Sequence, residues 1–354
     1  KSVDKNKLFE FLREMEFNRL LSQAISFYGE SQTSNSTQLT QIQKKTDNSV
    51  NVKNYNCILN EKSLDKWIKI LEEKAVISVD TETSSLNPLE TELLGISFSY
   101  EKNKACYIPL AHKEKGLQKE LVLRKIKPIL EDPSIKKVGQ NIKFDFIVLK
   151  QNGIEIDPIE DTMLISYTLD AGNNRHNMDT LSEIHLGHKT ITFKELVGTG
   201  KNKLNFADID IAKATEYAAE DADITMRLYE NLKDRLDQEK LNRIYEYFEK
   251  PMVKLLAKLE FNGIKVDASH LKKLSATFEK KLKKTKKGSL ATSAKILEDL
   301  ALTGHKFPNL VLEWRQVSKL KSTYTDALQE HISKRTKRVH TSFLLAATNT
   351  GRLA

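Results

Sequence analysis

The run Ala75-Val76-Ile77-Ser78-Val79-Asp80-Thr81-Glu82-Thr83 decides how the rest of the chain is read. Its apolar, largely β-branched first part predicts a strand at 75 to 80, buried on both faces, that stops at Asp80-Thr81-Glu82-Thr83. Side chains two apart on a strand point to the same side, so Asp80 and Glu82 present two carboxylates together at the strand's end. Two like charges that close need a cation. An isolated Asp-x-Glu more often marks a turn than a metal site, and the weight of this one comes from two acidic motifs downstream.

The first is Gly139-Gln140-Asn141-Ile142-Lys143-Phe144-Asp145, directly after a short predicted strand at Lys136 to Gly139. Asn141 is placed to cap the helix it opens, and Asp145 lies one turn on along the same face. The second is Tyr217-Ala218-Ala219-Glu220-Asp221-Ala222-Asp223, inside an alanine-rich helix. Tyr217 and Asp221 are four apart and share a face, whereas Glu220 and Asp223 lie elsewhere around the wheel. The small residues at 218, 219 and 222 let such a helix pack close to a sheet. Asp80, Glu82, Asp145 and Asp221 would repel one another unless divalent cations neutralise them, and hard oxygen ligands select Mg²⁺ or Mn²⁺ over zinc. Two such ions can activate a water on one side of a phosphate and stabilise the departing oxygen on the other, the chemistry of phosphodiester hydrolysis. Tyr217, protonated at neutral pH, suits the orienting of that water better than its deprotonation.

Around these motifs the chain divides into segments. Residues 1–30 have apolar positions at helical spacing and predict one or two short helices. Residues 31–54 are a linker, since Ser31 to Ser49 is rich in Ser, Thr, Gln and Asn. Residues 55–240 read as α/β: a helix from Ser63 as N-cap to Glu73, the central strand, a hairpin of Leu93 to Tyr100 with Ala105 to Pro109, and a helix from Gln118 to Leu130. After the strand at Lys136 come helices at 141–151, 160–169, 178–186 and 210–235. Strands first and helices afterwards imply one mixed sheet covered by helices. Residues 241–354 are nearly all helical, with helices at 246–261, 267–284, 291–302 and 306–330 that make an arm rather than a globule.

Composition narrows the class. With 354 residues, 39% hydrophobic and 30% charged, the chain suits a soluble, helix-rich protein of two or three domains. No apolar run approaches a membrane span, the N-terminal residues have no signal-peptide pattern, and the lone thiols Cys57 and Cys106 fit a reducing cytosol. The net charge of +9 is uneven: residues 265–340 hold 18 Lys or Arg against 7 Asp or Glu, and the remainder 39 against 41. A basic third beside an acidic cluster points to a polyanionic partner. His185 and His188, three apart, have no flanking ligand that would make a zinc site.

Asp-Thr-Glu-Thr, Gly-Gln-Asn-x-Lys-Phe-Asp and Tyr-Ala-Ala-Glu-Asp-Ala-Asp, in this order and span, resemble the three exonuclease motifs of the family A DNA polymerases of the bacterial polymerase I type. The resemblance implies a ribonuclease-H-like DEDD exonuclease at 55–240, the tail of a 5′ nuclease domain at 1–30, and the start of the polymerase domain, a thumb-like arm, at 241–354. Leu312-Glu313-Trp314-Arg315, Lys319 to Asp326 and Thr350-Gly351-Arg352-Leu353 mark the last. It implies that Asp80, Glu82 and Asp221 bind one of two Mg²⁺ or Mn²⁺ ions, with Asp80 shared by the second, that Asp145 holds that second ion, and that Tyr217 positions the attacking water. It further implies that Leu86 wedges against the terminal base with Phe144 and Phe193 nearby, and that Asn141 and Arg175 contact the terminal strand. The expected partners are the single-stranded 3′ end of DNA and the primer-template duplex, and the expected setting is a monomer in the bacterial cytoplasm at the nucleoid. The palm carboxylates of a polymerase and the acidic cluster of a 5′ nuclease are not among these residues, so the chain alone is not expected to polymerise. The family also carries a few dozen thumb residues where Lys284 meets Thr285. The competing readings are a catalytically silent scaffold and a pure DNA-binding arm, and the presence of all four carboxylates and the tyrosine argues against silence.

Overall fold

In the computed structural model the described residues are 4–15, 17–28, 50, 54–112, 116–198, 200, 204–281, 297–298, 301–302, 304, 306–348 and 350–353. Most of the expected linker, the joint near Lys284 and most of the expected helix at 291–302 lie outside them.

The chain forms two compact units, Lys1–Asn48 and Ser49–Ala354. In the first, α1 (Lys5–Glu14) and α2 (Asn18–Tyr28) form a helical pair in which Phe9 and Leu12 are buried. The Lys5 ammonium donates to the Tyr28 carbonyl at 2.8 Å.

The second unit is built on a six-stranded mixed sheet. Its strands are β1 (Asn56–Cys57), β2 (Val76–Thr83), β3 (Leu93–Glu101), β4 (Lys104–Pro109), β5 (Lys136–Gly139) and β6 (Ile159–Asp161), in the spatial order β1-β4-β3-β2-β5-β6. The β2-β3-β4 part is antiparallel, while β1 joins β4, β5 joins β2 and β6 joins β5 in parallel. Ile77, Ser78 and Val79 on β2 are all fully buried, as a central strand covered on both faces requires. The strand does not stop at Asp80 but pairs with β3 through Thr83, so both carboxylates stand on ladder residues.

Helices α3 (Glu61–Glu72), α4 (Lys119–Glu131), α5 (Lys143–Gln151), α6 (Thr162–Asp170), α7 (Met178–Leu186), α8 (Phe193–Val197) and α9 (Ile211–Gln238) surround the sheet. The N-cap of α3 is Asn60 rather than Ser63, because the Asn60 side chain accepts from the Ser63 amide at 2.9 Å. Helix α9 presents Ala214, Ala218, Ala219 and Ala222, all fully buried, and packs on β2, β3 and β4. The approach is close enough for the Ser78 hydroxyl on β2 to donate to the Ala222 carbonyl at 2.7 Å.

Beyond α9 the chain stays largely helical: α10 (Asn242–Ile244), a π-helical turn Tyr245–Glu249, α11 (Lys250–Asn262), α12 (Ala268–Lys281) and α13 (Lys306–Lys319), the last continuing through a π-helical turn Leu320–Asp326 to Glu330. A two-stranded ribbon of β7 (Ile264–Lys265) and β8 (Arg338–Val339) interrupts it, an element the sequence reading did not anticipate. Tyr245 is fully buried, and its hydroxyl accepts the Asp161 amide at the end of β6 at 2.9 Å. Lys143 of α5 and Glu260 of α11 form a buried ion pair, and Glu260 Oε1 also accepts the Phe343 amide at 2.7 Å. Among the described residues no helix is long and apolar enough to cross a membrane.

Candidate active site

The end of β2 and the middle of α9 bring three carboxylates together. One ligand oxygen from each of Asp80, Glu82 and Asp221 lies within 4.8 Å of the others. The alternation of the strand puts Asp80 and Glu82 on one side, and the alanine face and the Ser78 bond fix the height of Asp221 above them. Tyr217 lies one turn earlier on the same face of α9, and its phenol is close enough to feel the Asp221, Glu82 and Asp80 carboxylates.

Asp145 enters from the first turn of α5 and is buried. Its Oδ1 accepts two bonds from Thr81, the hydroxyl at 2.6 Å and the amide at 3.0 Å. Thr81, which in the sequence is only the spacer between two acids, is therefore what ties the fourth carboxylate to the strand. Asn141 does not cap α5. It sits at φ 57°, a region asparagine tolerates better than most residues, and its own amide donates to Asp161 Oδ1 at 3.0 Å. The Asp161 carboxylate also accepts from Ile142 at 3.1 Å and from Met163 at 2.9 Å, serving the openings of α5 and α6 at once.

Burial and mutual repulsion dominate the electrostatics. Burial, partly offset by the Thr81 amide, pushes the Asp80 carboxyl up to about 6. Glu82 is pushed well above the usual carboxylate range by burial and then by Asp80, Asp221 and Asp145. Asp145 is raised by burial and Asp80 against the pull of the Thr81 bonds, and Asp221 by burial, Asp80 and Glu220 against the pull of Tyr217. Burial, followed by Asp221, Glu82 and Asp80, raises the Tyr217 phenol, which keeps its proton at every working pH. A pocket of carboxylates that all resist ionisation fits hard divalent cations, because their charge removes both penalties at once.

The other acids of the third motif do different work. Glu220 is buried beneath the loop before α8, with His188 Nε2 at 2.8 Å from Oε1 and the Ile191 amide donating to Oε2 at 2.7 Å. This pairing accounts for His188 without zinc. Asp223 accepts from the Tyr55 hydroxyl at 2.8 Å, from Arg227 Nε at 3.1 Å and from the Asn103 amide at 2.9 Å. Only Asp221 of the three faces the cluster of Asp80 and Glu82.

Aromatic side chains flank Tyr217. Phe193, 40% exposed at the start of α8, stacks on Phe206 with ring centres 6.5 Å apart and planes 11° apart, and lies 6.2 Å from the Tyr217 ring. Phe206 in turn stands 6.3 Å from Tyr107, a buried tyrosine whose ring passes where any side chain at Gly95 would sit. Gly95 is the register partner of Glu82. Leu86 projects from the β2-β3 loop with 94% of its surface open. Phe144 is half-buried against the main core, and Asn141 and Arg175 are exposed, the latter in the loop before α7. That loop is tied to the Gly139–Asp145 motif by the Gln140 side-chain amide, which donates to the His176 carbonyl at 2.7 Å.

The 3′-5′ exonuclease family model matches residues 55–237, more than half the chain, and the DNA polymerase family A model matches residues 226–354. The chain belongs to the family A DNA polymerases. Among family A members, the DNA polymerase I of Rhizobium leguminosarum is 41% identical over 82% of this chain and 34% of its own length. That of Pseudomonas aeruginosa is 37% identical over 98% of this chain and 42% of its own length. The chain thus spans about a third to two fifths of these family A relatives. The fold is similar to that of the polymerase domain of Pol1 from M. smegmatis, solved in complex with DNA primer-template and dNTP. The TM-score is 0.68 at 20% identity, covering 84% of this chain and 54% of that one. The mixed sheet with its following helices is thus the family A exonuclease and polymerase-domain fold.

Proposed function

We propose that the chain hydrolyses the terminal phosphodiester at the 3′ end of DNA and releases nucleoside monophosphates, as the proofreading exonuclease of a larger DNA polymerase I. The observation that carries this reading is the meeting of Asp80, Glu82 and Asp221 within 4.8 Å, with Tyr217 one helical turn from Asp221. Asp80, Glu82, Asp221 and Asp145 would hold two Mg²⁺ or Mn²⁺ ions, with Asp80 shared between them. Such a pair of ions supplies an activated water and charge stabilisation for the leaving oxygen.

The chain's own groups do the rest. Tyr217, protonated at neutral pH, orients the attacking water through its hydroxyl. Leu86 is the wedge against the terminal base, Phe193 and Phe144 flank that base, and Asn141 and Arg175 hold the terminal strand. An exposed leucine four residues past Glu82 and a partly exposed phenylalanine 6.2 Å from the Tyr217 ring suit a base that is gripped by stacking without regard to sequence. On this reading 55–240 is the exonuclease domain and 241–354 the start of the polymerase domain, whose basic residues meet the primer-template duplex. Residues 1–30 close a 5′ nuclease domain, 31–54 link it to the rest, and the protein works as a monomer in the bacterial cytoplasm.

The test is release of nucleoside monophosphates from an end-labelled single-stranded oligonucleotide with Mg²⁺ or Mn²⁺, and its loss in Asp145→Ala with the melting transition retained. DNA binding without any metal-dependent digestion by the unaltered chain would sink the reading in favour of a silent scaffold.

A further inference from the structure

The loop between β2 and β3, Ser84 to Glu92, is closed at its base by its own polar groups. The Ser84 amide donates to the Glu92 carbonyl at 3.0 Å, the Ser85 amide to Thr91 Oγ1 at 2.8 Å and the Glu92 amide to Ser84 Oγ at 2.9 Å. These bonds set the loop's shape, and Leu89, buried in the main core, roots one side of it. Two neighbouring carbonyls on that side are held from outside. The Gln151 side-chain amide donates to the Pro88 carbonyl, and Arg335 Nη2 donates to the Leu89 carbonyl at 2.8 Å. The same guanidinium nitrogen lies 3.0 Å from Gln151 Oε1.

Three separate parts of the chain therefore meet at one junction. Gln151 is the last residue of α5, whose first turn carries Asp145. Arg335 belongs to the segment between the last helical turn and β8, which is fastened to α11 by Arg338, whose Nη2 donates to the Gly263 carbonyl at 2.9 Å. The third part is the loop that lifts Leu86 into solvent.

We propose that Arg335 is a positioning residue for the separation of paired ends: it clamps the Leu86 loop against the helix of Asp145, so that the wedge stays rigid enough to unpair a terminal base. This rests on the exonuclease reading above. A single-stranded end needs no unpairing and tolerates a loose loop. A paired end has to be pried open, and a wedge that yields under load transfers less binding energy into that step. The clamp comes from the part of the chain that leads towards the polymerase region, so access of paired ends to the acidic pocket depends on the posture of residues 332–339.

The experiment uses the full chain and three forms: unaltered, Arg335→Met, which keeps most of the aliphatic stem, and Arg335→Lys, which keeps one donor. Hydrolysis is measured on a blunt duplex and on a single strand of the same sequence, and amide hydrogen exchange is followed over residues 84–91. In Arg335→Met the duplex rate should fall about tenfold while the single-strand rate stays within about twofold, the scale expected for a modest misplacement of a positioning group. Exchange over 84–91 should accelerate, and Arg335→Lys should recover part of both effects. An unchanged duplex-to-single-strand ratio, an equal fall on both substrates, or unchanged exchange over 84–91 would each overturn the proposal. Should the unaltered chain cleave neither substrate, the exonuclease reading fails and takes this proposal with it. Loosening of the loop in Arg335→Met marks that case apart from a failure of the clamp itself.

Discussion

Replacing Thr81 by valine removes one hydroxyl from the centre of the proposed site and almost nothing else. Valine matches threonine in shape and suits a central strand at least as well, so β2 should keep its pairing. What disappears is the 2.6 Å bond from the Thr81 hydroxyl to Asp145 Oδ1, while the amide bond at 3.0 Å remains. A hydrogen bond to a buried charged group is worth roughly 1.5–3 kcal/mol, and the surviving amide limits the loss to about the lower half of that range. If the bond matters only when Asp145 is ionised and holding a cation, a loss of about 1.4–2 kcal/mol appears as a ten- to thirtyfold fall in turnover. The melting temperature of the metal-free protein should move by only a few degrees. Thr81→Ser, which restores the hydroxyl, should recover most of the rate. The assay is Mn²⁺-dependent release of nucleoside monophosphate, titrated in metal for each variant. A valine variant with unaltered turnover and metal requirement would refute the idea that Thr81 aims Asp145, as would a serine variant no better than valine.

Three further outcomes are expected. The four carboxyl groups have folded-state pKa values raised above their unfolded ones, so their stabilising contribution is complete below the unfolded values and fades as pH rises through the folded ones, about 6 for Asp80. The metal-free protein should therefore lose melting temperature from this cluster as pH rises from about 4 through about 6, the span between the unfolded and folded values of Asp80, and the gain on adding Mn²⁺ should grow over the same interval; a gain independent of pH would show that the cation binds elsewhere. Tyr217→Phe should slow hydrolysis by about one to two orders of magnitude, the scale of a lost orienting group, with the fold intact by circular dichroism, and undiminished turnover would remove its role. Glu260→Ala strands the buried Lys143 ammonium and frees the Phe343 amide, so chemical denaturation should show a loss of about 3–5 kcal/mol, and a loss under about 1 kcal/mol would mean that Lys143 finds water.

The positions of the three main acids were legible because each depends on a local period. Asp80 and Glu82 follow the two-residue alternation of a strand, and Tyr217 and Asp221 the four-residue step of a helix. The supports around them were not legible, since their partners lie far along the chain. Thr81 looks like a spacer until α5 places Asp145 against it, 64 residues away. Asp161 reads as part of the helix expected at 160–169, yet it ends β6, and its carboxylate holds backbone 19 and 20 residues earlier. Asn141 carried the signature of a helix cap, but competition from Asp161 left it in a left-handed turn instead. Ser63 lost the same contest to Asn60, whose side chain reaches the Ser63 amide. Gly95 gave no hint that a tyrosine ring would occupy its missing side chain's place, because that contact is made across the sheet rather than along the sequence.

The bond between Ser78 and Ala222 spans 144 positions of the chain. A chain emerging from the ribosome can therefore complete the sheet, with three of the four acids in place, well before α9 is available to close over it. Until α9 docks, the pocket lacks both Asp221 and Tyr217, and its floor lies open to water. On the exonuclease reading, the pocket gains its full set of acidic groups only once α9 packs on the sheet.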